Sequence, residues 1–193
     1  MEIKRTVTVY AEMTPNPQAM KFVTDIFLCE NPIEYASPEQ AETNPLAKKM
    51  FEFPAIKNVF ILSNFITLTK EGNQDWYELI GAIRESIRNY FISNEAPVLT
   101  SVPSATDSVA KEIISSTELE TKIKSVLEEY VRPAVEQDGG AIDFKSFKDG
   151  KVTLLMRGSC SGCPSSSVTL KGGIENLFRQ MVPEVTEVVA EEV

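Results

Sequence analysis

Arg157-Gly158-Ser159-Cys160-Ser161-Gly162-Cys163-Pro164 sets the frame for the C-terminal half of the chain. Ahead of it, Val152, Leu154 and Met156 recur at every second position, the period of a half-buried strand. Behind it, Val168, Ile174, Leu177, Phe178 and Met181 fall on one side of a helix. The two cysteines therefore sit on a strand-to-helix loop. Pro164 suits the first helical position, because its φ is already helical and its missing N–H has no role there. Cys163 is then the expected N-cap. A thiolate at that position faces unpaired backbone N–H groups and the positive end of the helix dipole, which favours the ionised form. The small Gly and Ser neighbours leave room for a bulky group to reach the sulfurs.

A C-x-x-C pair on such a loop has four readings. It is a dithiol/disulfide couple, half of a zinc site, half of an iron–sulfur site, or a reduced structural pair. The chain has no histidine, and its three cysteines are Cys29, Cys160 and Cys163. A zinc site needs four ligands, usually Cys and His, and an iron–sulfur cluster usually takes four thiolates. Two copies of Cys160 and Cys163 supply four. A metal reading thus places the site between protomers, or between this chain and a partner. Ligation of that kind is exposed and separable, suited to handing a cluster on.

Outward from the loop, the spacing predicts α-β-β-α-β over residues 117–193. Thr117-Glu118-Leu119-Glu120 is a capping box. Leu119, Ile123, Val126, Leu127 and Tyr130 form the apolar face of the helix it opens. Ala134 and Val135 continue that face, and Pro133 kinks or ends the helix. Asp138-Gly139-Gly140 reads as a helix C-cap and a sharp turn, for which turn geometry explains both glycines. Asp138 has a second reading, as a weak oxygen ligand or a residue that orients the cluster loop, which the preference of soft iron and zinc sites for sulfur disfavours. Ala141 to Phe147 and Lys151 to Arg157 are strands joined by an Asp149-Gly150 turn. Gly172-Gly173 inside the second helix costs roughly 1 kcal/mol per glycine relative to Ala, which points to a close helix–sheet or helix–helix contact there. Pro183 ends that helix, and Glu184 to Ala190 is a last short strand. Both helices pack against the resulting sheet.

Residues 1–92 read as a compact α+β domain with an antiparallel sheet. Ile3 to Tyr10 is a strand, with Val7 and Val9 on one face. Thr14-Pro15-Asn16-Pro17 breaks it as a turn. Ala19 to Cys29 resumes extended structure through Met20, Phe22, Ile26 and Leu28. Cys29 reads as a small buried hydrophobe. Asn31 to Asn44 is polar and proline-punctuated, a loop. Pro45 to Phe51 is a short helix. Ile56 to Leu62 and Phe65 to Lys70 form a hairpin across Ser63-Asn64, with Asn64 expected to take the left-handed conformation. Asp75 caps a helix in which Trp76, Leu79, Ile80, Ile83, Ile87 and Phe91 recur at helical spacing. This half carries no phosphate loop and no recognisable catalytic constellation. Residues 93–116, rich in Ser, Thr and Pro, read as a flexible linker.

Composition narrows the function classes. Lys and Arg total 19 against 28 Asp and Glu, a net charge of −9. With no basic stripe, a nucleic-acid role meets repulsion from phosphates, and an anionic membrane surface is equally unsuited. No stretch reaches the ~18–20 apolar residues of a membrane span. The first residues lead directly into a strand pattern without a secretory or Arg-rich presequence. An odd cysteine count does not suggest a secreted disulfide framework. The expected setting is a reducing cytoplasm, although a processed organellar protein has the same appearance.

Gly158 to Lys171, followed by Gly172-Gly173-Ile174-Glu175, resembles the C-terminal domain of NifU and of the Nfu-type iron–sulfur carriers. Upstream, Pro133-Ala134-Val135-Glu136-Gln137-Asp138-Gly139-Gly140 is similar to that domain's second signature. The resemblance covers about residues 117 to 190. Thr14-Pro15-Asn16-Pro17 with Met20-Lys21-Phe22, and Pro45-Leu46-Ala47 with Trp76, resemble the N-terminal domain that accompanies this module. The resemblance implies a non-enzymatic scaffold or carrier: a homodimer that holds a 4Fe–4S cluster between two C-x-x-C pairs, with Cys160 and Cys163 as this chain's iron ligands. It implies transfer to apo iron–sulfur acceptor proteins, downstream of cluster assembly machinery. Two other classes stay open on the residues alone. One is a thiol–disulfide oxidoreductase using the same pair, against which stand the missing βαβ pattern ahead of the motif and the missing Trp before Cys160. The other is a zinc-binding interaction module.

Overall fold

The computed structural model describes residues 6–93, 118–161 and 164–192. The chain divides into two compact units, Met1–Ser104 and Ala105–Val193. Both are α+β, as the sequence pattern predicts. Of the linker expected at 93–116, Ser93 is the last residue of a helix, and the rest, with Thr117 of the capping box and with Gly162 and Cys163, lies outside the described residues.

In the first unit the strands are β1 (Val9–Met13), β2 (Ala19–Thr24), β3 (Cys29–Tyr35), β4 (Ile56–Ser63) and β5 (Phe65–Lys70). They form one antiparallel sheet in the order β1-β2-β5-β4-β3. Pairing of β2 with β5 joins the N-terminal hairpin to the β4–β5 hairpin, and this long-range ladder is what makes one sheet of the two. Helices α1 (Pro45–Met50) and α2 (Trp76–Ser93) cover one face. Trp76, Leu79, Ile83, Ile87 and Phe91 of α2 and Leu46, Ala47 and Met50 of α1 pack on Phe22, Ile61, Ile66 and Leu68. Polar groups fix the docking. Arg84 Nε donates to the Val9 carbonyl at 2.9 Å, and Trp76 Nε1 donates to the Pro17 carbonyl at 3.2 Å.

Four expectations for this unit need correction. The run from Ala19 to Cys29 is two strands, since β2 ends at Thr24, the chain bends at Asp25 and Ile26, and Cys29 opens β3. The first strand begins at Val9, not Ile3, and runs to Met13; at Thr8 the backbone N–H is taken by the Asp25 carboxylate instead of a ladder. The segment expected as a loop from Asn31 holds most of β3. Pro32 masks it in the sequence, but β3 lies at the sheet edge with a register shift between Cys29 and Ile33, where a proline is tolerated. In the β4–β5 hairpin the left-handed residue is Ser63, at φ 51°, not Asn64. Asn64 instead donates its side-chain amide to the Thr24 carbonyl at 3.1 Å. The α2 cap is as expected, with Asp75 Oδ1 accepting from the Tyr77 N–H at 3.0 Å.

The second unit opens with α3 (Glu118–Val126), a π-helical turn (Leu127–Val131) and α4 (Arg132–Gln137) in continuous succession. Pro133 therefore does not end the helix. A proline ring clashes with the carbonyl four residues back, and the wider π turn immediately before it relieves that clash. Strands β6 (Gly140–Lys148) and β7 (Lys151–Gly158) form a hairpin with Asp149 and Gly150 at φ 52° and 80°. Helix α5 (Pro164–Met181) then crosses back to β8 (Glu187–Glu192), which pairs parallel to β7. A parallel neighbour requires such a crossover. The core joins Ile123, Val126, Leu127, Val131 and Val135 to Ile142, Val152, Leu154 and Met156 of the sheet, with Ile174 and Phe178 from α5. Val168, expected on the core side of α5, is 73% exposed.

Candidate functional site

The site is the loop that carries the chain from β7 into α5. Gly158 closes β7 at φ +67°, a left-handed conformation that side chains resist, and so turns the backbone sharply out of the ladder. The Ser161 N–H then donates to the Gly158 carbonyl at 3.2 Å. Cys160 lies inside this turn. Cys163, the second expected ligand, lies outside the described residues, and α5 begins at the residue after it.

Cys160 is turned inward. It is 6% exposed and belongs to the apolar core of its unit. The sequence pattern predicts an exposed pair among small residues, so this inward thiol is a correction. The reason lies across the sheet. Gly140 pairs with Gly158, which brings the Asp138–Gly140 turn against the cysteine loop. A Cβ at Gly140 would stand 2.7 Å from Cys160 Sγ, 2.8 Å from the Arg157 carbonyl oxygen and 3.3 Å from Ser159 Oγ. No side chain fits there. Turn geometry accounts for Gly139, at φ +84°, but Gly140 is needed for the space it leaves to the thiol.

Ser159 fastens the two segments. It is 2% exposed; its hydroxyl donates to the Asp138 carbonyl at 2.6 Å and its N–H to the Gly139 carbonyl at 3.3 Å. Ser159 Oγ also lies 3.9 Å from Cys160 Sγ. Sequence reasoning passed over Ser159 as mere small filler. Only the β6–β7 register reveals that the two glycine-rich segments, 18 or more positions apart, are one structure.

Arg157, at the mouth of the loop, has Nε 3.6 Å from Asp143 Oδ2, and Arg132 Nη2 lies 3.7 Å from Asp143 Oδ1. One carboxylate between two guanidinium groups ties the start of α4 to both strands that lead to the loop. On α5, a Cβ at Gly172 or Gly173 would meet nothing within 4 Å among the described residues, so the close contact expected there is not made by any of them.

Cys29 is separate chemistry. It sits in the core of the first unit, where its thiol donates to the Ile61 carbonyl at 3.5 Å. Burial pushes the Cys29 thiol up to about 11, offset in part by the Ser63 backbone N–H. It is the buried hydrophobe the sequence suggests. Among the described residues no cluster of three or more His, Cys, Asp or Glu side chains is arranged to hold a metal ion, and no helix is long and apolar enough to cross a membrane.

Comparison with known proteins adds to this geometry. Residues 123–189 match the model of the NifU-like domain, and residues 9–94 match that of the scaffold protein Nfu/NifU N terminal. The chain belongs to the Nfu/NifU family. It is 36% identical over 183 residues to the human protein named NFU1 iron-sulfur cluster scaffold homolog, mitochondrial, spanning 94% of this chain and 70% of that protein. A protein of the same name from Drosophila willistoni is 36% identical over 187 residues, covering 96% of this chain and 64% of its own length. The NifU-like protein C1709.19c of Schizosaccharomyces pombe is 32% identical over 190 residues, covering 96% of this chain and 73% of that one. This Nfu/NifU chain thus spans roughly two thirds of the length of these relatives. A solution NMR structure of a NifU-like protein from Saccharomyces cerevisiae is similar with a TM-score of 0.45 and 19% identity, over 52% of this chain and 92% of that one.

Proposed function

We propose that this Nfu/NifU chain is a scaffold or carrier for an iron–sulfur cluster, with Cys160 and Cys163 as its ligands. The observation that carries the reading is the C-x-x-C loop, held between β7 and α5 in a chain of this family. Two ligands per chain fall short of the four thiolates a cluster takes, so two protomers share a 4Fe–4S cluster as cargo. No turnover chemistry is required. Thiolates of an apo acceptor displace Cys160 and Cys163 one at a time, and the cluster leaves. Upstream assembly machinery supplies it. The role belongs in a reducing compartment, where the cysteines stay reduced, and we place it in the cytoplasm. The functional division is residues 1–92, a linker at 93–116, and a cluster-binding domain at 117–193.

Substitution of the ligands tests this. C160S and C163S variants of the full chain should each lose reconstituted iron and sulfide while keeping the far-UV circular dichroism of the parent. Full iron and sulfide in either variant would refute the ligand assignment. A colourless monomer that cycles a Cys160–Cys163 disulfide would show a thiol–disulfide oxidoreductase instead.

A further inference from the structure

A ligand that hands on cargo needs access to it, yet Cys160 is packed in the core of its own unit. Three features hold it there. The absent side chain at Gly140 leaves the space that Sγ occupies. The Ser159 hydroxyl is bonded to the Asp138 carbonyl at 2.6 Å. The Ser159 N–H is bonded to the Gly139 carbonyl at 3.3 Å. Both hydrogen bonds come from the residue immediately before Cys160, so they fix the backbone that carries the thiol, and carrying that backbone outward strains or breaks them. Ser159 is almost fully buried, and water offers its hydroxyl little replacement until the loop opens.

We propose that Ser159 and Gly140 are positioning residues that form a latch: the Asp138–Gly140 turn keeps the Cys160 thiol inward in the unloaded chain, and opening of the Ser159–Asp138 bond releases it for ligation. This rests on the reading of Cys160 as a cluster ligand. The latch shields the thiol from electrophiles and oxidants while the chain is empty. It also gives ligation a local opening step, so loading responds to the loop's own stability as well as to thiol chemistry.

The test is alkylation of the unloaded full-length chain by iodoacetamide under native conditions, read at Cys160 by peptide mass spectrometry. Hydrogen exchange at the β6 and α5 core amides is measured in parallel. The wild-type thiol should react at least about tenfold more slowly than in the urea-unfolded chain, as expected for a group reached only through local opening. S159A should accelerate it by roughly tenfold, the effect on an opening equilibrium of losing one hydrogen bond of ordinary net strength. G140A should accelerate it also, because the added Cβ takes the place of Sγ. The opening free energy read at Cys160 should be smaller than that read at the slowest core amides, in wild type and S159A alike, because the lost bond weakens the folded state against local and global opening equally. A wild-type rate equal to the unfolded rate, an S159A rate within twofold of wild type, or an opening free energy at Cys160 equal to that of the slowest core amides would each overturn the latch. Iron and sulfide uptake is assayed separately. Cluster retention in C160S would remove the ligand reading and leave the alkylation result standing, so the two failures are distinct.

Discussion

Replacing Gly140 by Ala asks whether the packing at the cysteine loop is as tight as the structure makes it. The new Cβ would lie 2.7 Å from Cys160 Sγ and 2.8 Å from the Arg157 carbonyl oxygen. The thiol can move by rotating about one bond. The carbonyl belongs to the β6–β7 pairing, where Arg157 stands opposite Ala141, and moving it disturbs the ladder. Overpacking of this kind costs roughly 1–3 kcal/mol. The lower conformational entropy of an unfolded chain with Ala returns about 0.4–1 kcal/mol. The net expectation is a loss of about 1–2 kcal/mol, or roughly 5–15 °C in Tm for a unit of this size. Scanning calorimetry of the full chain measures it. The single tryptophan, Trp76, lies in the first unit, so its fluorescence identifies that unit's transition, which should not move. Gly173→Ala is the control: the same added methyl group, clear of every described residue and on a helix, should stabilise by about 0.5–1 kcal/mol. A G140A protein that melts at or above the wild-type temperature would refute the packing argument.

Asn44→Ala should lower the urea midpoint followed by Trp76 fluorescence, at a cost of about 1–2 kcal/mol, because Asn44 caps α1 through the Ala47 N–H and also donates to the Tyr35 hydroxyl, both at 3.1 Å. The Cys29 thiol is raised from 9.0 to about 11 in the folded chain, so between those pH values the unfolded state has lost a proton that the folded state keeps. Stability of the first unit should therefore fall as pH rises through that window. Burial also raises Tyr35, so the diagnostic quantity is the difference between wild type and C29A, which should lack the Cys29 part of the slope; an identical slope in C29A would contradict it.

Much of this was readable from residues alone, and the rest was hidden for identifiable reasons. Short-range patterns carried the hairpins, the α2 stripe and the α5 start at Pro164, because each depends on residues within a few positions. Cys160 and Cys163 stood out because a C-x-x-C between a strand and a helix is itself local. Gly140 did not, since its function depends on lying opposite Gly158 across a hairpin. A Gly-Gly pair after a helix has an adequate local explanation, and that explanation concealed the second. Pro32 hid β3 in the same way: a strand tolerates proline only at an edge, and edge position is a property of the whole sheet. Gly172 and Gly173 misled in the opposite direction, since a packing reason was expected and none of the described residues comes within 4 Å of a Cβ there. The inward placement of Cys160 follows from the Gly140–Gly158 pairing and the two bonds of Ser159, all of them contacts across the hairpin.

The central claim is that the chain holds a cluster shared between two copies of the C-x-x-C loop. Anaerobic reconstitution with ferrous iron and sulfide, followed by size-exclusion chromatography with iron and sulfide assays on each fraction, tests it most directly. The account predicts a coloured dimer carrying about four irons and four sulfides per two chains. A monomer that elutes without iron or sulfide after the same treatment would contradict it.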